Sequence, residues 1–361
     1  MKKITFPHMG NLYIPAQTFF KELGYEVVVP PKNSRRTLDL GMKYSPEFAC
    51  LPLKINIGNF IQALEKGAEI IVMGGGVGPC RFGYYCEVQK EILKDLGYRF
   101  QMISLEPEIF KTFNNIRQVM DKIPWLKIFS AAKLAWSKIV AMDKIHKQVL
   151  KSRSCEKKDG IVDTIYAKFL KELEDAWSII EIKKLEKEYS GRIKETKGIY
   201  KRGVEIKIGI VGEIYVVLEP FTNLNIERKL GELGVTVDKE IYISHWVRQF
   251  LNMDKNHEKI QKAALPYLRG TVGGHGLDSV GNSVLYASKG FDGVVQVAPF
   301  TCMPEIVAQS ILPEVSNREN IAILSLIFDE HTGEAGLITR LEAFVDLLVR
   351  KKKYKGAVNS G

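Results

Sequence analysis

Two α/β lobes, each built on a doubly wound parallel sheet, with a helical insertion between them, form the fold this 361-residue sequence predicts. Three observations predict it. Short β-type runs alternate with helical patterns over roughly the first 110 residues, the β signal vanishes over the next stretch, and the alternation then resumes to the end. The expected units are a first lobe at 1–114, an insertion at 115–204 and a second lobe at 205–361.

In the first lobe, 3–6, 26–29, 69–73 and 100–105 read as strands, with helical patterns near 14–23, 54–66 and 86–96. Leu93 and Leu96 recur at a helical interval, while Gly67 and Gly97 stand where helices stop. Strand, helix, strand at this spacing calls for parallel pairing through right-handed crossovers. In the insertion, Ile161, Ile165, Phe169, Leu173, Trp177 and Ile180 make one apolar stripe, expected on a single long helix. The second lobe starts with a strand at 205–211 and continues with a helix at 225–233, closed by Gly234. A strand within 235–243 and a helix at 256–268 follow. Two buried strands, 293–298 and 321–328, each precede a helical segment, 305–311 and 337–350. Both lobes are therefore Rossmann-like.

Composition narrows the function. With 45% hydrophobic and 26% charged residues the chain can build real cores, which excludes disordered and low-complexity classes. No apolar run approaches the length of a membrane span, and the start shows no secretion signal, so a cytoplasmic protein is expected. The net charge is +10, and residues 111–200 hold 20 Lys/Arg against 12 Asp/Glu, or +8 of it. That belt is either a solvated helical surface or a docking face for a partner. Nucleic acid is not favoured, because aromatics and arginines do not interleave there.

The five cysteines are too few for a disulfide framework, so reduced thiols are expected. Cys50 precedes the helix expected to start near Lys54. Cys80 follows the glycine-rich run 74–78 at a strand-to-helix turn, and Cys302 occupies another such turn. Open α/β sheets bind ligands at turns of this kind. A helix N-terminus also favours the thiolate. Three thiolates could hold zinc or an iron–sulfur cluster, although the local Cys pairs of structural zinc sites are absent. Dispersed buried cysteines remain the alternative.

Six stretches carry a resemblance: Cys50-Leu-Pro-Leu-Lys, Gly78-Pro-Cys80-Arg-Phe-Gly, Gly274-His275-Gly276, Gly290-Phe-Asp-Gly-Val, Pro299-Phe-Thr-Cys302-Met-Pro-Glu305 and Asp329-Glu-His-Thr-Gly-Glu334-Ala-Gly. Through them the sequence resembles the 2-hydroxyacyl-CoA dehydratase iron–sulfur subunit superfamily, in its CoA-substrate-specific enzyme activase-related branch. The resemblance implies that Cys50, Cys80 and Cys302 carry a [4Fe–4S] cluster between the lobes. Some relatives hold a double cubane, which keeps Cys86 open as a further ligand. It also implies an ATP-dependent activator protein as electron donor, anaerobic reductive or radical chemistry on an acyl-CoA-type substrate, and a homodimer or a heterodimer with a related subunit. The chain would then be dehydratase (lyase)-like or an ATP-driven reductase component. Two other readings stand beside it: a nucleotide-dependent activase of CoA-substrate enzymes, and a non-catalytic partner subunit.

The run 74–78 lacks both the dinucleotide fingerprint spacing and the P-loop ending, and suits a cluster-adjacent turn. His275 is a candidate proton or hydrogen-bond donor, or else a loop histidine satisfying backbone groups. His331 and Glu334 follow the last strand as candidate cleft residues, though Glu334 is equally a cap of the final helix. Cys155, among Lys151, Arg153, Lys157 and Lys158, reads as a surface thiol.

Overall fold

In the computed structural model, the structure describes residues 2–76, 78–106, 123–250 and 256–358. The first sheet takes β1 (Lys3–Thr5), β2 (Glu26–Val27), β3 (Ile70–Gly74) and β4 (Gln101–Leu105) in the order β2-β1-β3-β4. The second takes β5 (Ile206–Gly212), β6 (Val235–Lys239), β7 (Gly293–Pro299) and β8 (Ala322–Phe328) in the order β6-β5-β7-β8. Every pairing is parallel. The strand order is the same in both sheets. Each therefore has a topological switch point, between β1 and β3 and between β5 and β7, where a crevice opens at the carboxyl ends of the strands. The expected α/β class with two parallel-sheet lobes is what the chain adopts.

Helices α1 (Tyr13–Glu22), α2 (Arg35–Tyr44), α3 (Leu51–Glu65) and α4 (Phe82–Asp95) belong to the first sheet. Every residue of α3 from Leu51 to Leu64 is buried. A helix buried on all sides needs apolar cover and, for Lys54, Asn59 and Gln62, polar partners. Ile57, Phe60 and Ile61 enter the core of the first lobe, while Leu51 and Ile55 join the core built on β5 and β7. One helix is thus shared by both lobes. Its packing on α2 requires Gly41 and Gly58, where an added Cβ would run into the carbonyl groups of Lys54 and Thr37 respectively. Polar ties complete the junction. The Tyr215 hydroxyl donates to the His8 carbonyl at 2.7 Å, the Gly10 N–H donates to Glu219 at 2.6 Å, and buried Lys54 pairs with Glu330 at 2.7 Å.

Between β4 and β5 run α5 (Trp125–Ser152), α6 (Ile161–Asp175) and α7 (Ile179–Glu195). The single long helix expected over the stripe is corrected to two. Ala176, Trp177 and Ser178 leave the helical path, and Ser178 caps α7 by accepting from the Glu181 N–H. Phe169 and Leu173 are core residues, whereas Trp177 and Ile180 are exposed and Tyr166 and Val162 take the inner positions. Residues 111–122 of the basic belt and the expected boundary at 114/115 lie outside the described residues.

The second lobe adds α8 (Ile214–Leu218), α9 (Ile226–Glu232), α10 (Ile243–Phe250), α11 (His257–Ala264), α12 (Gly276–Ser288), α13 (Met303–Arg318) and α14 (Glu334–Val358). Cys155 is not a surface thiol. It is buried in a short 3-10 turn, where the backbone fold-back to Gly198 covers it despite its lysine neighbours. Among the described residues no helix is long and apolar enough to cross a membrane.

Candidate functional site

Strand ends place the three singled-out cysteines. Cys50 is the N-cap of α3, which begins at Leu51 rather than near Lys54 because Pro52 suits the first helical turn. Cys80 lies on the loop between β3 and α4, and Cys302 is the N-cap of α13, after β7. One side chain joins the three loops. Arg81, next to Cys80, donates to the Phe48 carbonyl at 2.8 Å and to the Thr301 carbonyl at 2.5 Å. Phe48 is two residues before Cys50, and Thr301 is one before Cys302. The Thr301 hydroxyl adds a bond to the Phe48 carbonyl at 3.2 Å. Thr301 is held at φ 65, a conformation a β-branched residue keeps only when its surroundings impose it.

A fourth loop closes the patch. An added Cβ on Gly274 would stand 3.8 Å from the Cys80 sulfur and 3.1 Å from Pro304 of the Cys302 helix. Gly273 and Gly274 also have φ of 80 and 47, so this loop reaches both cysteine turns because it is glycine. The Cys50 sulfur meets the Tyr85 hydroxyl. Around the patch the side chains of Phe48, Tyr84, Phe300 and Ile306 stand exposed.

Two carboxylic acids complete the site, Glu213 half-buried and Glu305 buried, and motif reading assigned a role to neither. Glu213 follows β5 and accepts from the Val216 N–H at 2.9 Å. Glu305, in the first turn of α13, accepts from the Ser279 hydroxyl at 3.0 Å and from Gln296 Nε2 at 2.8 Å. Burial raises the Glu213 carboxyl above its usual range and lifts Glu305 to about 7, against the hydrogen bonds each receives. All three thiols sense Glu213. The signal for Glu213 was its place directly after the buried strand 205–211, at a strand's carboxyl end. Glu305 stood within a quoted motif. Nothing in the sequence pointed to Tyr85.

The expected thiolates are not what this environment favours. Burial pushes Cys50 up to about 11 and raises Cys80 and Cys302, with Glu213 adding to each, while backbone N–H groups of the following helices pull the other way. Desolvation outweighs the helix N-terminus here.

His275 caps α12 and bonds Asp278 through Nδ1 at 3.2 Å. Burial works against its charge, yet Asp278, Glu213 and Glu305 together raise it. The other candidates lie elsewhere. Cys86 sits inside α4, buried and lifted to about 11 by desolvation, with the Ser104 hydroxyl as its partner. His331 is exposed, and Glu334 opens α14 and pairs with Lys229 at 2.5 Å, as a helix-start residue. In the run 74–78, Val77 lies outside the described residues, and the Gly75 N–H is used by the Leu105 carbonyl at 2.7 Å.

Among the described residues no group of three His, Cys, Asp or Glu side chains stands close enough to hold a metal ion. A single ion such as zinc, with its ligands packed tightly round it, does not suit this geometry. A cluster spreads its thiolates around a larger core. Three thiols on loops tied together by Arg81 are the donor type that an iron–sulfur cluster takes.

The site therefore defines a two-lobed α/β protein with a thiol- and acid-lined mouth where the lobes meet. The model of the family described as the CoA enzyme activase uncharacterised domain matches residues 8–241, and the chain belongs to that family. This agrees with the activase-related branch of the resemblance. The matched span includes Cys50, Cys80 and Glu213 and ends before Cys302. No curated protein matches the chain.

Proposed function

We propose that this chain is the redox component of a system that activates enzymes acting on CoA-linked substrates, with its centre at Cys50, Cys80 and Cys302. The observation that carries the reading is Arg81, which ties the loops of all three cysteines into one patch at the lobe junction. Family membership supports the activating role over a stand-alone dehydratase. The three thiols would hold a [4Fe–4S] cluster, which supplies one-electron transfer and leaves one iron without a cysteine. Arg81 fixes the loops, the Tyr85 hydroxyl bonds the Cys50 sulfur, and the loop of Gly273 and Gly274 presents no Cβ beside Cys80. Burial raises the Glu213 carboxyl and lifts that of Glu305 to about 7, so Glu305 exchanges a proton near neutrality in the turn that follows Cys302. The thiols are protonated without metal, so loading must release protons. The exposed Phe48, Tyr84 and Phe300 around the mouth support docking of the protein partner there.

Anaerobic purification with iron and sulfide quantitation, then electron paramagnetic resonance after reduction, tests the reading. Expected are about four irons per chain, lost in C50A, C80A and C302A and retained in C155A. Wild-type protein without iron or sulfide after anaerobic reconstitution would overturn it. A second specific result separates the purely nucleotide-dependent alternative: tight ATP binding by iron-free protein.

A further inference from the structure

The start of α5 carries apolar side chains on two faces. Inward, Ala131 packs with Phe20 and Leu23 in the core around β1 and β3, with Ile128 beside it, and Leu134 enters the core of the insertion. Outward, Trp125 is 55%, Leu126 84% and Phe129 72% exposed. Leu126, Phe129 and Lys133 follow at i, i+3 and i+7, one stripe of the helix turned away from Ala131 and Leu134. A surface helix ordinarily turns one apolar stripe inward and a polar face to water. Large apolar side chains clustered on the outer face therefore call for a second cover.

Charge narrows what that cover is. From Ile123 to Met142 the sequence has no Asp or Glu, while Lys127, Lys133 and Lys138 are present. Lys138 is buried and donates to the Glu174 carbonyl at 2.9 Å, whereas Lys127 and Lys133 stand exposed beside the apolar tips. An anionic surface complements such a patch. Size narrows it further. The three tips offer on the order of 400 Å², against about 800 Å² for one side of a stable protein interface. A bilayer surface requires neither a matching shape nor that area. It takes protruding side chains singly, while lysines beside them stay with the headgroups.

We propose that the first turns of α5 form a peripheral contact with an anionic membrane surface, with Trp125, Leu126 and Phe129 entering the headgroup region and Lys127 and Lys133 pairing with lipid phosphates. Such a contact lies on the bilayer and spans nothing, so it requires no membrane-crossing helix. It goes beyond the thiol reading and stands without it, because it uses no residue of the mouth.

Flotation of the full chain with lipid vesicles tests it. The probes are vesicles of phosphatidylcholine alone and of phosphatidylcholine mixed with phosphatidylglycerol, and polyglutamate stands for an acidic protein partner. The chain is expected to float with the phosphatidylglycerol vesicles, less so as salt is added, and much more weakly with phosphatidylcholine alone. L126S/F129S should weaken vesicle binding about tenfold or more, and K127E/K133E should remove the preference for phosphatidylglycerol. All four side chains are exposed, so the unfolding midpoint of each variant should stay near that of the wild type. A second measurement stands even if a variant misfolds: vesicles with brominated acyl chains should quench the tryptophan emission of the wild type, and less so that of W125F. Absence of flotation with anionic vesicles, equal flotation with neutral ones, unchanged affinity in L126S/F129S, or capture by polyglutamate without vesicle binding would overturn the proposal. Failure here leaves the iron measurement above unaffected.

Discussion

Replacing Glu305 by glutamine converts its titration into a stability measurement. Glu305 is 1% exposed and its carboxyl is raised by burial from 4.5 to about 7. In the unfolded chain it would ionise near 4.5, so between about 4.5 and 7 the folded protein binds the extra proton. Stability from this group is therefore complete at low pH, falls as pH rises through that window, and levels off above about 7. A difference of 2.5 (7 minus 4.5) corresponds to roughly 3 kcal/mol. Glutamine mimics the protonated acid, because its oxygen still accepts from Ser279 and Gln296. E305Q should equal the iron-free wild type near pH 4.5 and exceed it by up to roughly 3 kcal/mol at pH 8. Urea titrations followed by circular dichroism at pH 5, 6, 7 and 8 give the comparison. Subtracting the two curves cancels the titration of His8 and of other distant groups. A difference that stays flat across this range would refute the assignment of Glu305 as a buried acid that loses its proton near neutrality.

Three further changes probe the junction. G58A should destabilise by about 3 kcal/mol in thermal or urea unfolding, because its methyl group would displace the Thr37 backbone and part α2 from α3. K54M should cost about 3 kcal/mol by leaving Glu330 without its partner, and the double variant K54M/E330M should recover most of that loss in a double-mutant cycle. R81Q should leave global stability nearly unchanged yet raise the reaction rate of the site thiols with a disulfide reagent about tenfold, since the two loops tied to Arg81 would open more often.

Much of the fold was legible because strand burial and turn chemistry are local. Runs such as 205–211 and 293–298 are rich in Val, Ile and Gly, as strands covered on both faces tend to be, and they became β5 and β7. The insertion misled for an equally physical reason. A four-residue apolar spacing continues across Ala176, Trp177 and Ser178, but Ser178 captures the Glu181 N–H and restarts the helix. Helix α2 was missed, since its inward residues are Thr37, Leu38 and Gly41 and its close approach to α3 uses glycine in place of an apolar stripe. Cys155 was misjudged because its burial comes from chain far away at Gly198. In the site, sequence position located the cysteine turns and the strand end at Glu213, whereas the Tyr85 contact with Cys50 and the Arg81 bonds to Phe48 and Thr301 join residues far apart in the chain, which no local pattern encodes.

Those contacts bear on how the mouth is kept together. Cys50 and Cys80 belong to the chain of the first lobe and Cys302 to the second, so the sulfurs stay in register only if the lobes do. Lobe interfaces within one chain are commonly polar and mobile. Here α3 contributes Leu51 and Ile55 to the core of one lobe and Phe60 and Ile61 to the core of the other, so rotating the lobes would expose apolar surface from a helix with no solvent face. Cys50 caps that same helix. A thiol placed at the end of the shared element moves with both lobes at once, and Arg81 needs only to close the short remaining gap between the loops. The rigid part of the site is thus set by hydrophobic burial over the length of α3. Its adjustable part is set by two guanidinium bonds at the surface, where a partner protein can reach them.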